Sequence, residues 1–243
     1  MMKKIMIISG AGLSAESGIS TFRDHDGLWE NYDVMQVCST QGWRDDRELV
    51  TQFYNDRRRD LRDKVPNKAH QILAMLEKKY PGQILHLTQN IDNLMEKAGA
   101  KEIIHLHGTL TDLRCESCGH VWDIGYDEQN EHDACPSCES DRVRHNVVMF
   151  GEAAPNYQRI YEAISQSELF IAIGTSGQVI DIVALANEFH HSILINPKRE
   201  EYITAFGSFD KKIDEYFEHF IQKGASDAME ELEVLMDEFL VDD

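Results

Sequence analysis

An apolar run, Ile5–Ile8, drops straight into Ser9-Gly10-Ala11-Gly12 and a stretch of small residues. A short buried strand feeding a glycine-rich turn presents backbone N–H groups to an anion, and small residues let a phosphate-bearing ligand approach the main chain. These residue types point to a nucleotide. Ala15 stands where the third glycine of a Gly-x-Gly-x-x-Gly fingerprint would fall, so an ordinary dehydrogenase is not implied. A second constellation is metallic. Four of the five cysteines form Cys115-x-x-Cys118 and Cys135-x-x-Cys138, with sixteen residues between the pairs. Two such knuckles supply four thiolates to a tetrahedral zinc ion and leave no coordination position for substrate, so the spacing predicts a structural ion. The chain around them is poor in large apolar residues, which predicts a lobe that needs the metal to fold.

Five apolar, β-branched runs recur between helical patterns: Ile5–Ile8, Ile84–Thr88, Ile103–Leu106, Leu169–Ile173 and Ile193–Ile195. Strands alternating with helices predict an α/β fold with a parallel sheet covered on both faces, whose ligands bind at the carboxyl ends of the strands. Those ends read Ser9-Gly10-Ala11-Gly12, Thr88-Gln89-Asn90-Ile91-Asp92, His105-Leu106-His107-Gly108, Gly174-Thr175-Ser176-Gly177 and Asn196-Pro197, compact polar chemistry suited to one shared site. Two stretches interrupt the pattern. Residues 31–78 read as a helical insert and residues 111–145 as the zinc-binding insert, which leaves 1–30, 79–110 and 146–243 for the large domain. The inserts predict a smaller lobe facing the sheet across a cleft. Asp227–Leu240 reads as an amphipathic helix packed on the large domain, with Asp227 and Glu230 placed as a capping box.

The chain has 243 residues, enough for a sizeable core, and a formal charge of −19. Its last twenty residues carry eight acids and no Lys or Arg. That balance argues against a nucleic-acid backbone as partner and is compatible with basic, lysine-bearing segments. No run of 18 apolar residues is present and the apolar stretch at the amino end is too short for a secretion signal, so the expectation is a cytoplasmic protein without a membrane partner.

Taken in order, Gly10-Ala11-Gly12, Phe22-Arg23, Thr88-Gln89-Asn90-Ile91-Asp92, His107-Gly108, the two cysteine pairs, Phe150-Gly151-Glu152 and Gly174-Thr175-Ser176 resemble the sirtuins, the NAD-consuming protein-lysine deacylases. The match spans residue 5 to about residue 226. The resemblance implies a Rossmann-type NAD domain, a zinc-bearing small domain and acyl-lysine proteins bound between them. It implies that Asn90 and Asp92, with Ile91, orient the nicotinamide and its ribose, that Gln89 lies beside the ribose hydroxyls, and that His107 is the general base. An imidazole suits that task because its pKa lies near working pH. Period 2 along Ile103–Leu106 puts His105 and His107 on the same side, so geometry leaves both open and the resemblance decides for His107. By the same match Phe22, Arg23, Ala15, Glu16 and Trp29 belong to a loop over NAD. Gly174, Thr175 and Ser176 contact phosphate and ribose, and Asn196 and Ala225 lie near the adenosine end. Val148 and Phe150, before Gly151 and Glu152, would offer a strand edge to a substrate peptide, with Val179 on the other side. Ser20 and His145 stand where the family usually has proline.

The helical pattern Arg47–Leu61 bears on the acyl group. At 100° per residue Val50, Phe53, Tyr54, Arg57 and Leu61 share one apolar stripe, Arg58 falls on the flank and Arg59 on the opposite face. An inward arginine needs an anion, either an internal carboxylate or one on a ligand. Tyr54 and Arg57 match the Tyr-x-x-Arg pair of the desuccinylating and demalonylating sirtuins, and Cys38 stands where that subgroup commonly has alanine. Bacterial members of the subgroup act on acetyl- and succinyl-lysine alike, which implies both activities here. Plain deacetylation, mono-ADP-ribosyl transfer to an external nucleophile, and a non-enzymatic zinc- and nucleotide-binding module are the competing readings. Asn90, Asp92 and His107 together argue against the last, because binding alone requires no base beside the ribose.

Overall fold

The computed structural model describes residues 2–20, 28–29, 32–130, 132–204 and 207–241, with backbone alone at 28, 29 and 204. Six strands form one parallel sheet: β1 (Ile5–Ser9), β2 (Ile84–Thr88), β3 (Ile103–His105), β4 (Leu169–Ile173), β5 (His191–Ile195) and β6 (His219–Ile221), in the order β6-β5-β4-β1-β2-β3. Each neighbouring pair is parallel. The chain leaves β1 toward one edge for β2 and β3, then returns to the other side of β1 for β4. That reversal opens a crevice at the carboxyl ends of β1 and β4. Strand β6 is an addition to the runs read from sequence. His-Phe-Ile is too short, and too polar on its amino side, to stand out as an apolar run.

Period-2 alternation divides the sheet's side chains between two cores. Ile5 and Ile7 of β1, with Leu169, Ile171 and Ile173 of β4, face helices Lys68–Lys79 and Ala225–Val241. Met6, Ile8, Phe170 and Ala172 face helices Gln158–Gln166 and Ile182–Ala186. Both faces being covered is why these strands read as continuous apolar runs. Helix Lys68–Lys79, which the sequence pattern groups with 31–78, packs Ala69, Leu73 and Leu76 into the sheet's core. The terminal helix begins at Ala225, so Asp227 lies inside its first turn and not at its N-cap position. A carboxylate from elsewhere meets that terminus: Glu16 Oε1 accepts from the Ser226 N–H at 3.1 Å. Among the described residues no helix is long and apolar enough to cross a membrane.

The smaller lobe combines helices Val34–Val37, Thr40–Asp45 and Arg47–Arg62 with a three-stranded antiparallel sheet, Val121–Asp123, Gly108–Cys115 and Val143–Val147. The central strand therefore starts at Gly108, directly after His107. Gly108 has φ +81°, and a Cβ there would fall 2.0 Å from the Asn146 carbonyl oxygen, so only glycine fits this junction. Val37, Phe53 and Tyr54 from the helices share one core with Leu110, Val147 and Met149.

Arg58 departs from the helical-wheel reading, for it is fully buried. The wheel assumes one buried face, whereas helix Arg47–Arg62 is covered by its own core on one side and by the zinc-bearing strands on another. Arg58 Nε donates to the Leu110 carbonyl and Nη2 to Nδ1 of His145, both at 2.7 Å, and Nη1 reaches Asn55 Oδ1 at 3.1 Å. Burial lowers its pKa to about 10, with Asp112 and Asp127 opposing, so it stays charged at neutral pH. Burial, then the Arg58 charge, drives His145 well below its ordinary value, and the neutral ring gives its Nε2–H to the Thr51 carbonyl at 3.3 Å. Arg59 lies on the exposed face, paired with Asp56 and Glu128, as expected.

The Sγ atoms of Cys115, Cys118, Cys135 and Cys138 all lie within 4.8 Å of one another, a spacing that fits a tetrahedral ion. Beside them the apolar cluster is small, with Leu113, Cys115, Cys135 and Val143 as its buried members. Such a lobe is too thin to hold together without cross-linking. One zinc per chain is expected, and its removal by a chelator should lower the thermal midpoint. Calorimetry of a metal-free protein that still unfolds at the original temperature would contradict this.

Candidate active site

A cavity of about 1130 Å³ lies between the carboxyl ends of the sheet strands and the smaller lobe. Its floor is the meeting of two turns. Gly12 N–H donates to the Gly174 carbonyl and Gly10 N–H to that of Ile173, both at 2.9 Å. A Cβ on Gly12 would come within 2.6 Å of Gly174 Cα, so the backbones touch only because both residues are bare. Neighbouring strand ends are laced to this floor. Gln89 Nε2 donates to Thr175 Oγ1 at 3.0 Å, and Asn196 Nδ2 to the Thr175 carbonyl at 2.8 Å.

Beside the glycine turn lies a buried polar chain. His70 is wholly buried, and burial holds its pKa down at about 4. Its Nδ1 accepts from the Asn67 N–H, so the proton sits on Nε2, 3.3 Å from Ser14 Oγ. Asn90 Nδ2 also donates to Ser14 Oγ at 3.2 Å, and the serine hydroxyl donates to Asp92 Oδ2 at 2.8 Å. The Leu94 N–H satisfies the other carboxylate oxygen at 3.0 Å. Burial raises the Asp92 pKa, opposed by these two donors. The chain fixes Asn90 and Asp92 in orientation at the cavity wall.

The structure separates the two histidines that period 2 could not. His105 turns away from the cavity: Nδ1 lies 3.0 Å from the Asn90 carbonyl and Nε2 2.8 Å from Glu96 Oε1. Burial works against charge on this ring, but the Glu96 contact outweighs it and raises the pKa, which makes His105 an ion-pair partner. His107 lines the cavity. Its Nδ1 donates to the Gln89 carbonyl at 2.9 Å, leaving Nε2 with the lone pair, 2.9 Å from the Tyr157 hydroxyl. Burial lowers its pKa, the Gln89 carbonyl opposing, so the ring is a neutral acceptor at neutral pH.

At the far end, Tyr54 is buried and Cys38 adjoins it, its thiol pushed up to about 12 by burial and so inert as a nucleophile. Arg57 lines the cavity with its guanidinium 5.4 Å over the Phe53 ring. Backbone bonds fix the adjoining segment: Val148 N–H to His107 O at 2.9 Å, Phe150 N–H to Cys38 O at 2.8 Å and Thr40 N–H to Phe150 O at 3.0 Å. Glu152 accepts from the Met149 N–H at 3.0 Å and pairs with the buried Arg144. Arg144 also reaches Glu116 Oε1 at 3.4 Å, inside the first cysteine knuckle. The metal lobe is thus wired to the cavity rim, where Phe150 and Val179 stand exposed.

Ala11, Ala15, Glu16, Ile91, Ser176, Gly151 and Ala225 line the same cavity, as do the other described residues expected at the nucleotide and substrate sites. Phe22 and Arg23 lie outside the described residues, as does the Trp29 side chain. Ser14, His70 and Tyr157 were not anticipated. Ser14 could have been found from its place in the glycine loop, whereas nothing in the spacing of His70 or Tyr157 announces a partner so far away in sequence.

The Sir2 family profile matches residues 10–181. A Campylobacter jejuni protein named NAD-dependent protein deacylase is 42% identical over 241 residues, covering 99% of this chain and 99% of that protein. A Sir2 homologue solved as an ADP-ribose complex superposes with a TM-score of 0.82 at 30% identity, over 99% of this chain and 95% of the other. Another, solved with NAD, gives 0.80 at 31% identity, over 98% and 91%. With family profile, full-length relatives and fold in agreement, the chain belongs to the Sir2 family.

Proposed function

We propose that the protein is an NAD-dependent protein-lysine deacylase that removes acetyl and succinyl groups. The observation that carries this reading is the cavity itself, continuous from the bare Gly12–Gly174 floor, past a neutral His107 with a defined acceptor nitrogen, to Tyr54 and Arg57. The full-length relative named as an NAD-dependent protein deacylase and the neighbours solved with NAD and ADP-ribose support the NAD-dependent deacylase part of it.

In this reading the Gly10–Gly12 turn and the Gly174–Ser176 loop receive the diphosphate and ribose, and Asn196 and Ala225 receive the adenosine end. Asn90, Ile91 and Asp92 hold the nicotinamide side, with Ala15 and Glu16 lining the cavity beside it. The acyl-amide oxygen bonds to the ribose carbon as nicotinamide leaves. His107 Nε2 then takes the proton of a ribose hydroxyl, which attacks the imidate carbon. Addition of water and loss of the amine give free lysine and O-acyl-ADP-ribose. A centre this reactive must be kept from bulk water, a task suited to a cavity enclosed by two lobes. The four-cysteine zinc takes no part in the chemistry, because its ligands fill the coordination sphere.

Tyr54 and Arg57 share a helix face three residues apart, and a guanidinium offers bidentate donors to the distal carboxylate of a succinyl chain. Val148, Phe150, Gly151 and Glu152 would seat one side of the peptide and Val179 the other.

His107→Tyr should lose deacylation by about a hundredfold or more while zinc content and ADP-ribose binding persist. Turnover that survives in this variant but fails in His105→Ala would reverse the assignment. Arg57→Met should raise KM for a succinyl-lysine peptide about tenfold or more, with the matched acetyl peptide nearly unaffected, since only succinyl carries the carboxylate. Equal losses on both peptides would assign Arg57 a structural role.

A further inference from the structure

Tyr157 ends the short turn Pro155–Tyr157, beyond the Phe150-Gly151-Glu152 segment, and its ring lies 5.8 Å from that of His107, centroid to centroid. Its hydroxyl is 2.9 Å from His107 Nε2. The other ring nitrogen fixes the direction of this bond. A carbonyl can only accept, so the Gln89 contact places the proton of the neutral ring on Nδ1, and the phenol must donate to Nε2. The lone pair that the proposed reaction requires is therefore occupied by one of the chain's own side chains. The charged groups of the adjoining elements are committed elsewhere: Glu96 to His105, Asp92 to Ser14 and Leu94, Glu152 to Arg144. Burial raises the pKa of Tyr157, which keeps its hydroxyl protonated and able to donate across the working pH range.

We propose that Tyr157 is a positioning residue for His107: with the Gln89 carbonyl, its phenol holds the imidazole in one tautomer and orientation, and it caps Nε2 until a ribose hydroxyl of the nucleotide replaces it. The proposal rests on the reading of His107 as the base. The exchange balances without any net proton transfer, because one O–H donor leaves Nε2 and another arrives, and the phenol keeps its proton. A cap of this kind denies the basic nitrogen to other donors until the sugar is in place. It also favours the neutral ring, since a donor to Nε2 interacts only with the unprotonated form.

The test is an NMR titration of the His107 ring protons in the wild type and in Tyr157→Phe, with and without saturating ADP-ribose, beside the pH profile of kcat. Removing a donor from the neutral ring raises its pKa, so without ADP-ribose His107 should titrate about half to one pH unit higher in Tyr157→Phe. With ADP-ribose bound the two proteins should titrate together, and the acid limbs of kcat should coincide. Equal titration without ADP-ribose overturns the contact, and a difference that persists undiminished with it overturns the cap. Tyr157→Met should reproduce the shift; a shift in Met but not in Phe would assign the effect to the ring and overturn the proposal. Full turnover by His107→Ala would remove the base reading alone, leaving the NMR difference standing.

Discussion

The backbone approach of Gly12 to Gly174 is the constraint on which the rest of the site depends. It closes the crevice floor at the point where the strand order reverses, and it sets the distance between the turns after β1 and β4. A methyl group on either residue would push the turns apart, since a Cβ on Gly174 would fall 2.5 Å from the Leu13 nitrogen. The hydrogen bonds from Gln89 and Asn196 to Thr175 assume that separation and extend the floor to β2 and β5. His107 inherits it in turn, because its Nδ1 is anchored on the Gln89 carbonyl.

Two buried arginines then hold the smaller lobe together beside this floor. Arg58 ties helix Arg47–Arg62 to the strand that leaves His107, and Arg144 joins Glu152 on the cavity rim to Glu116 between the first zinc-site cysteines. Burying a guanidinium is costly, and a buried ion pair often stabilises no better than apolar packing of the same shape. What such groups contribute is directionality. Arg58 finds its acceptors at Leu110, Asn55 and His145 only in one register, which fixes where neighbouring Arg57 enters the cavity. His145 supplies one of these acceptors as a neutral ring.

Strands buried on both faces announce themselves, and so did the polar chemistry at their ends. Period alone could not tell His105 from His107, because the choice lies in which partner each ring meets: Glu96 for one, Gln89 and Tyr157 for the other. The three consecutive arginines show the same limit. A helical wheel resolves Arg59 from Arg57, since these point in opposite directions, yet it misplaces Arg58 because no single-helix pattern knows that a second lobe covers the flank. The sequence pattern groups helix Lys68–Lys79 with the wrong neighbours for a related reason: its apolar stripe records that it is buried, not against what. Partners such as His70 for Ser14, 56 residues apart, are written in the fold and not in local spacing.

Strand β1 has a consequence for how the chain is made. It lies at the centre of the sheet and pairs Ile5 with Ile84 on one side and with Leu169 on the other. During synthesis its second edge must wait for most of the polypeptide to emerge, as an Ile-Met-Ile-Ile ribbon with open backbone donors and acceptors. Contacts of such sequence separation make for slow folding, and closing them carries a loop entropy that the turn at Gly10–Gly12 cannot offset alone. The strand that builds the nucleotide turn is therefore also a segment open to misassociation before its second partner has emerged.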